Sequence, residues 1–222
     1  MLNIGVPAGG DFALMAVFSA VTYWVIRDFG AAAQAAFGLG SRIMQMIFLP
    51  AMAVAFAAAP IAGQNFGARL PARVRETFRV SALWSCLLMA LVTLLFQGGA
   101  TGLVRFFTND PQVILFGSEF LRIISWNFVA IGIVFTCSSL FQALGNTWPA
   151  LWSTAARLLL FALPAIWLAR QSGFRLVHVW YVSVATVLVQ ASISLLFLRW
   201  QLRERLVGMT TTSGPTPAAP RG

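Results

Sequence analysis

Among the charged residues within apolar stretches of the sequence are Asp11, Arg42 and Arg157. A charge at the centre of a lipid-embedded helix costs about 2.5–3.5 kcal/mol on insertion scales, so each needs a physical reason. For Asp11 two readings balance. One is a proton or cation site facing a cavity. The other is a carboxylate at a helix start near the membrane surface, favoured by the helix dipole, with Gly9 and Gly10 beside it. Thr22 lies about 20° from Asp11 on the same helical face and joins it as a candidate cavity residue. For Arg42 and Arg157 a structural role is favoured, paired to a carboxylate or to helix-end carbonyls, because a fixed positive charge obstructs a cation path. At about 100° per residue, Asn127, Ser138 and Gln142 share one face, and Ser183, Thr186, Gln190 and Ser194 share another. Either stripe could line a water-filled cavity; interhelical hydrogen bonding is the commoner use of such residues. The 19 Phe and 8 Trp could wall a site for flat organic cations. Lipid and the interfacial belts account for most of them, with Trp24, Trp126, Trp148 and Trp180 near the expected helix ends.

Other chemistries lack their residues. A single His, His178, cannot build a metal site or a catalytic cluster, and the six acids are scattered. Cys86 and Cys137 fall in apolar runs without Cys-x-x-Cys spacing and read as small packing residues. The expectation is therefore no enzyme, no resident metal and no cofactor. With 59% hydrophobic and 9% charged residues, the chain is far more apolar than a soluble domain of roughly 45–50% apolar and 25% charged residues. Disorder of the bulk is excluded by the same composition. The net charge of +9 comes entirely from Arg, with no Lys. These arginines flank long apolar runs, which points to membrane helices obeying the positive-inside rule and not to nucleic acid.

Six apolar blocks supply the elements that must position these residues: 7–26, 32–63, 80–97, 121–144, 149–169 and 179–198. A helix of roughly 20 residues spans the ~30 Å hydrocarbon core, and only helices or closed barrels satisfy the backbone there. The runs are continuous rather than alternating, so helices are expected. The fold class is an all-α integral membrane bundle of six transmembrane helices occupying residues 1–205. The second block is over-long, with Pro50 and Pro60 as its expected kinks. Residues 64–71 read as a Gly/Pro loop leading into Arg73, Arg75, Glu76 and Arg79, and Thr108-Asn109-Asp110-Pro111 as a turn that starts a helix. With six spans both termini share a side. The basic segments at 69–79 and 199–205 fall on that same side, which places both termini in the cytoplasm. The Thr/Ser/Pro/Gly-rich stretch 206–222 is expected to be a disordered cytoplasmic tail.

One succession of motifs is more specific. Gly5-Val6-Pro7-Ala8-Gly9 opens the first span and Phe37-Gly38-Leu39-Gly40-Ser41-Arg42 enters the second. Leu49-Pro50-Ala51-Met52 lies within the second, which closes on Ala59-Pro60-Ile61-Ala62-Gly63-Gln64-Asn65-Phe66-Gly67-Ala68. Phe106 to Val113 precedes the fourth span and Phe141-Gln142-Ala143-Leu144-Gly145-Asn146-Thr147 follows it. This succession resembles the multidrug and toxic compound extrusion (MATE) family, and matches only the C-terminal six-helix half of such a transporter. The proline-bearing helix ending in Gln64 and Asn65 is its most specific piece. The resemblance implies exchange of H⁺ or Na⁺ for organic cations or amphipathic compounds by alternating access, in a bacterial cytoplasmic (inner) membrane. It implies a partner as well: an N-terminal six-helix half or a second half-size copy. Met1 falling at the start of a span fits a truncated or half-size chain. Some members carry carboxylates at positions that align here with Met15 and Ile131, which leaves Asp11 as the candidate coupling residue of this half. Pro50, Pro60, Gln64, Asn65, Arg42 and Arg157 are then structural or gating residues. Two other readings are a lipid-linked oligosaccharide flippase of the same superfamily, whose cavity holds basic residues, and a non-transporting membrane subunit or fragment.

Overall fold

The computed structural model describes residues 2–171 and 173–211. It is all-helical: α1 (Leu2–Ile26), α2 (Ala31–Gly67), α3 (Pro71–Phe107), α4 (Pro111–Ile124), α5 (Phe128–Ala143), α6 (Trp148–Leu168) and α7 (Leu176–Thr211). Short 3₁₀ turns at Arg27–Phe29 and Ser125–Asn127 follow α1 and α4. The second of these turns joins α4 and α5 into a single rod, so six helical units are long and apolar enough to cross a membrane.

The helices outrun the apolar blocks, because charge interrupts hydropathy without interrupting backbone hydrogen bonding. α3 starts at Pro71 and ends at Phe107, well outside 80–97. Pro is well suited to the first turn, where its missing N–H costs nothing, and Arg73, Arg75, Glu76 and Arg79 therefore stand on a helix and not in a loop. The fourth span begins ten residues before Leu121, at Pro111. Asp110 caps it, its carboxylate accepting from the backbone N–H of Gln112 at 2.8 Å and of Val113 at 3.3 Å. Within that span the Ser125 hydroxyl donates to the carbonyl of Arg122 at 2.8 Å, a local competitor to the helical ladder at the 3₁₀ turn. α7 extends to Thr211, six residues into the stretch expected to be disordered; residues 212–222 of that stretch lie outside the described residues. Pro50 and Pro60 sit inside α2, which continues through both.

Two helix ends share one device. At the end of α2 the N–H of Leu70 bonds the carbonyl of Asn65 (2.9 Å) and that of Arg69 bonds Phe66 (3.1 Å); at the end of α5 Asn146 bonds Phe141 (3.0 Å) and Gly145 bonds Gln142 (2.9 Å). Both are Schellman caps, which require a left-handed residue. Gly145 supplies it at φ 71° and Arg69 at φ 56°. The Asn65 side chain donates to the carbonyl of Ile61 at 2.8 Å. Arg205 on α7 donates to the carbonyl of Leu144 at 2.6 Å, tying the far end of the chain to the turn between α5 and α6.

Packing divides the bundle. α2, α3, α4 and α5 pack on one another, α1 packs chiefly on α6 and touches α2 little, and α7 bridges α6 to α5 and α4. The buried face of α2 is built largely of small residues, including Ala51, Ala55, Ala58 and Ala62, at the three- and four-residue spacing of one helical stripe. Gly40 lies beneath the Phe120 ring so closely that a Cβ there would overlap it. Large apolar side chains such as Leu94 (70% exposed) and Leu163 (68%) face outward. Small residues on the inner face of a helix and large ones facing outward, as on α2, let helix backbones approach closely where lipid surrounds them.

Candidate functional site

The division of the bundle leaves a chamber of about 360 Å³ lined by α1, α2, α4, α5, α6 and α7. Aromatic side chains recur around its wall: Phe12 and Phe18 from α1, Phe37, Phe48 and Phe56 from α2, Phe120 from α4, Phe135 from α5, Phe161 from α6 and Trp180 from α7. Trp180 is 2% exposed, stacked parallel to Phe37 with centroids 5.9 Å apart and edge-on to Phe120 at 4.7 Å. That corrects its expected place in the interfacial belt. It lies one turn inside α7, and aromatic neighbours on α2 and α4 hold it in the core. Trp24, Trp126 and Trp148 are exposed.

The polar part of the wall gathers residues from five helices and one 3₁₀ turn. Asp11, Thr22, Asn127, Ser138, Gln142, Gln190 and Arg157 all line this one chamber, with Ser183 and Thr154. The stripe on α7 splits. Ser183 and Gln190 face the chamber, whereas Thr186 and Ser194 are buried away from it, the Thr186 hydroxyl donating to the carbonyl of Ser183 at 2.9 Å. Met15 and Ile131, where the family resemblance places carboxylates in some members, also line the chamber, so those two wall positions are apolar here.

Asp11 is not at a helix start. α1 begins at Leu2 and carries no acid in its first turn, so the dipole-held surface reading fails: the helical pattern runs back through Gly9, Gly10 and Pro7. The carboxylate is half-buried, with Oδ1 enclosed and without a hydrogen-bond partner. The Thr154 hydroxyl and the Arg157 guanidinium are the polar groups that act on it. Thr154 also accepts from the Gln190 side-chain amide at 3.3 Å, which links α1, α6 and α7 through one polar chain. Sequence reasoning does not single out Thr154, although its position three residues before Arg157 on α6 was a usable signal. Asn127 is 1% exposed, and its Oδ1 has no partner.

The two arginines separate. Arg157 lies on the chamber wall with its guanidinium carbon 4.5 Å from the Phe18 ring centroid. Arg42 is exposed and lines a different recess of about 540 Å³ with Tyr23, Gln34 and Gln45 between α1 and α2. Neither forms a salt bridge; among the described residues the ion pair is Arg27–Asp28 at 3.3 Å. The expected direct pairing of each arginine with a carboxylate or with helix-end carbonyls is thus not seen among the described residues, although Asp11 shares the chamber wall with Arg157 and acts on it electrostatically. Pro50, Pro60, Gln64 and Asn65 line neither cavity; the last two sit at the capped end of α2.

Comparison with known proteins matches this geometry. A family model described as MatE matches residues 7–168. The chain is 28% identical to "Probable multidrug resistance protein YpnP" of Bacillus subtilis over 65% of its own length and 33% of that protein. It is 25% identical to a Shewanella oneidensis protein named "FAD transporter", over 74% of its own length and 36% of the relative. The solved Vibrio cholerae MATE transporter VcmN in its bent form superposes with a TM-score of 0.85 at 25% identity, covering 93% of this chain and 47% of that one. A further MATE structure in the bent conformation gives a TM-score of 0.87 at 19% identity, a likeness of fold. The chain thus spans about a third of the length of these curated relatives and about half that of these solved structures. With the family model covering most of the chain and the bundle superposing on one lobe of the solved transporters, this integral membrane protein belongs to the MatE family.

Proposed function

We infer that the chain forms one lobe of a secondary active efflux transporter that exchanges H⁺ or Na⁺ for amphipathic organic compounds by alternating access. The observation that carries this reading is the chamber: an aromatic wall suited to flat apolar bodies, with a carboxylate, Asp11, set into it beside a chain of hydrogen-bonding side chains. The family match supports the same class of activity. Asp11 is the coupling residue of this lobe, since Met15 and Ile131 offer no charge. The working transporter faces this chamber with a second six-helix lobe, from the same polypeptide or another copy, in the bacterial cytoplasmic membrane with both ends of the lobe cytoplasmic. No catalysis, cofactor or nucleic acid enters the mechanism.

The test is efflux from proteoliposomes. The 222-residue chain is reconstituted alone and with an N-terminal six-helix lobe of a related transporter, and an H⁺ or Na⁺ gradient is imposed. Gradient-driven movement of ethidium in either preparation is the expected result. No movement in both preparations, with each folded and inserted, rejects the transporter reading.

A further inference from the structure

Among the described residues, Arg157 is the single basic side chain on the chamber wall, and Asp11 the single acidic one. They do not close into a salt bridge. Among the described residues no hydrogen bond leaves the Arg157 guanidinium, and its Nε is enclosed with no partner. What the guanidinium does have is a ring. It lies over Phe18, 4.5 Å from the centroid, and Phe18 packs on Phe161 at 4.5 Å between centroids. Stacking holds the plane of an Arg without using its N–H donors, and a guanidinium offers five donors in a fork that matches a carboxylate or phosphate. Asp11 acts on Arg157 only at a distance, without a salt bridge, so its donors stay free for a second anion, and a cation in such a place gains from direct pairing.

We propose that Arg157 is an anion-recognition site within the chamber, and that the compounds this lobe binds include aromatic molecules bearing a carboxylate or other anionic group, with the anion on Arg157 and the ring on the apolar wall beside Phe18. This rests on the chamber being a substrate site and narrows its substrate class. Asp11, close enough to act electrostatically on Arg157, opposes the anion, so the two side chains give the wall one preference each and set them against one another.

Binding measured without any gradient tests this separately from transport. The full chain in lipid nanodiscs is dialysed against 2-naphthoate, its neutral analogue 2-naphthamide, and the cation N-methylquinolinium. Wild type is expected to bind naphthoate at least tenfold more tightly than naphthamide, the scale of one charge-assisted hydrogen bond. Arg157→Gln removes that preference while leaving N-methylquinolinium binding equal or stronger. Arg157→Lys restores part of the preference, and Asp11→Asn raises naphthoate affinity several-fold. Equal affinity of wild type for naphthoate and naphthamide overturns the proposal, as does an undiminished preference in Arg157→Gln. Should Arg157→Gln not fold, the Asp11→Asn result decides: unchanged or weaker naphthoate binding overturns it. Loss of ethidium efflux with the naphthoate preference intact rejects transport and leaves the anion site standing.

Discussion

Asp11 follows the first residue of α1 by nine positions, too far in for the helix terminus to hold its charge. If it couples transport, Asp11→Asn in the reconstituted two-lobe transporter abolishes ion-driven ethidium efflux while expression and helical content remain normal. Efflux with unchanged ion dependence would move the coupling site to the other lobe. Arg69 is a separate single-residue case. It holds the left-handed position of the α2 cap at φ 56°, where a side chain costs roughly 1–2 kcal/mol and Gly almost nothing. Arg69→Gly is therefore expected to stabilise the lobe by about 1 kcal/mol in thermal unfolding followed by circular dichroism; a loss of stability would mean that the side chain has a role beyond the cap. At this scale the sequence was informative where period alone decides. Asn127, Ser138 and Gln142, spread over about four turns, reach one chamber because a helical face keeps them aligned. It was uninformative about Trp180 and the Phe wall, since a ring facing a chamber and a ring facing lipid have the same sequence pattern.

The helices carry a second level of information, in their lengths and breaks. Block boundaries read from hydropathy fall short of α3 and of the α4–α5 rod, because Arg and Glu end an apolar run without ending a helix. The Asp110-Pro111 start was legible, since both residues have a local mechanism. The 3₁₀ turn at Ser125–Asn127 was not, as its buried hydroxyl bonds both the carbonyl of Arg122 and the side chain of Gln97 on α3, a tertiary partner. Pro50 is the element-scale test. It removes one ladder hydrogen bond and crowds the carbonyl near Met46, which makes α2 easiest to bend there. Pro50→Ala is expected to slow interconversion between inward- and outward-open states severalfold, read as a lower efflux rate with unchanged substrate affinity. A normal rate would remove the hinge role.

Across the whole molecule the parity of six spans places α2–α3 and the end of α7 on one face. Single cysteines at Ala72 and Arg203, both exposed, in a background lacking Cys86 and Cys137, should react with a membrane-impermeant maleimide from the cytoplasmic side alike. Opposite sidedness would break the six-span topology. The Arg205 tie to Leu144 gives that face a structural reason to hold together.

The alanine stripe of α2 bears on how this protein tolerates change. In a water-soluble domain, damage comes mainly from shrinking what is inside, because the interior is made of bulk. Along this stripe the contact is made by the near absence of side chain, and the outer face of α2 turns its bulk toward an apolar solvent that accepts almost any hydrocarbon. A saturation mutagenesis map of α2 should therefore be inverted relative to a helix of a soluble protein: enlargement along the stripe harmful, truncation on the outer face neutral. Ala55→Leu is expected to cost about 1–3 kcal/mol by forcing neighbouring helices apart, whereas Leu49→Ala, from an outward position 61% exposed, should leave the melting temperature nearly unmoved. A lineage drifting under that rule would conserve smallness along one face of α2 while its outer face changed freely among large apolar residues.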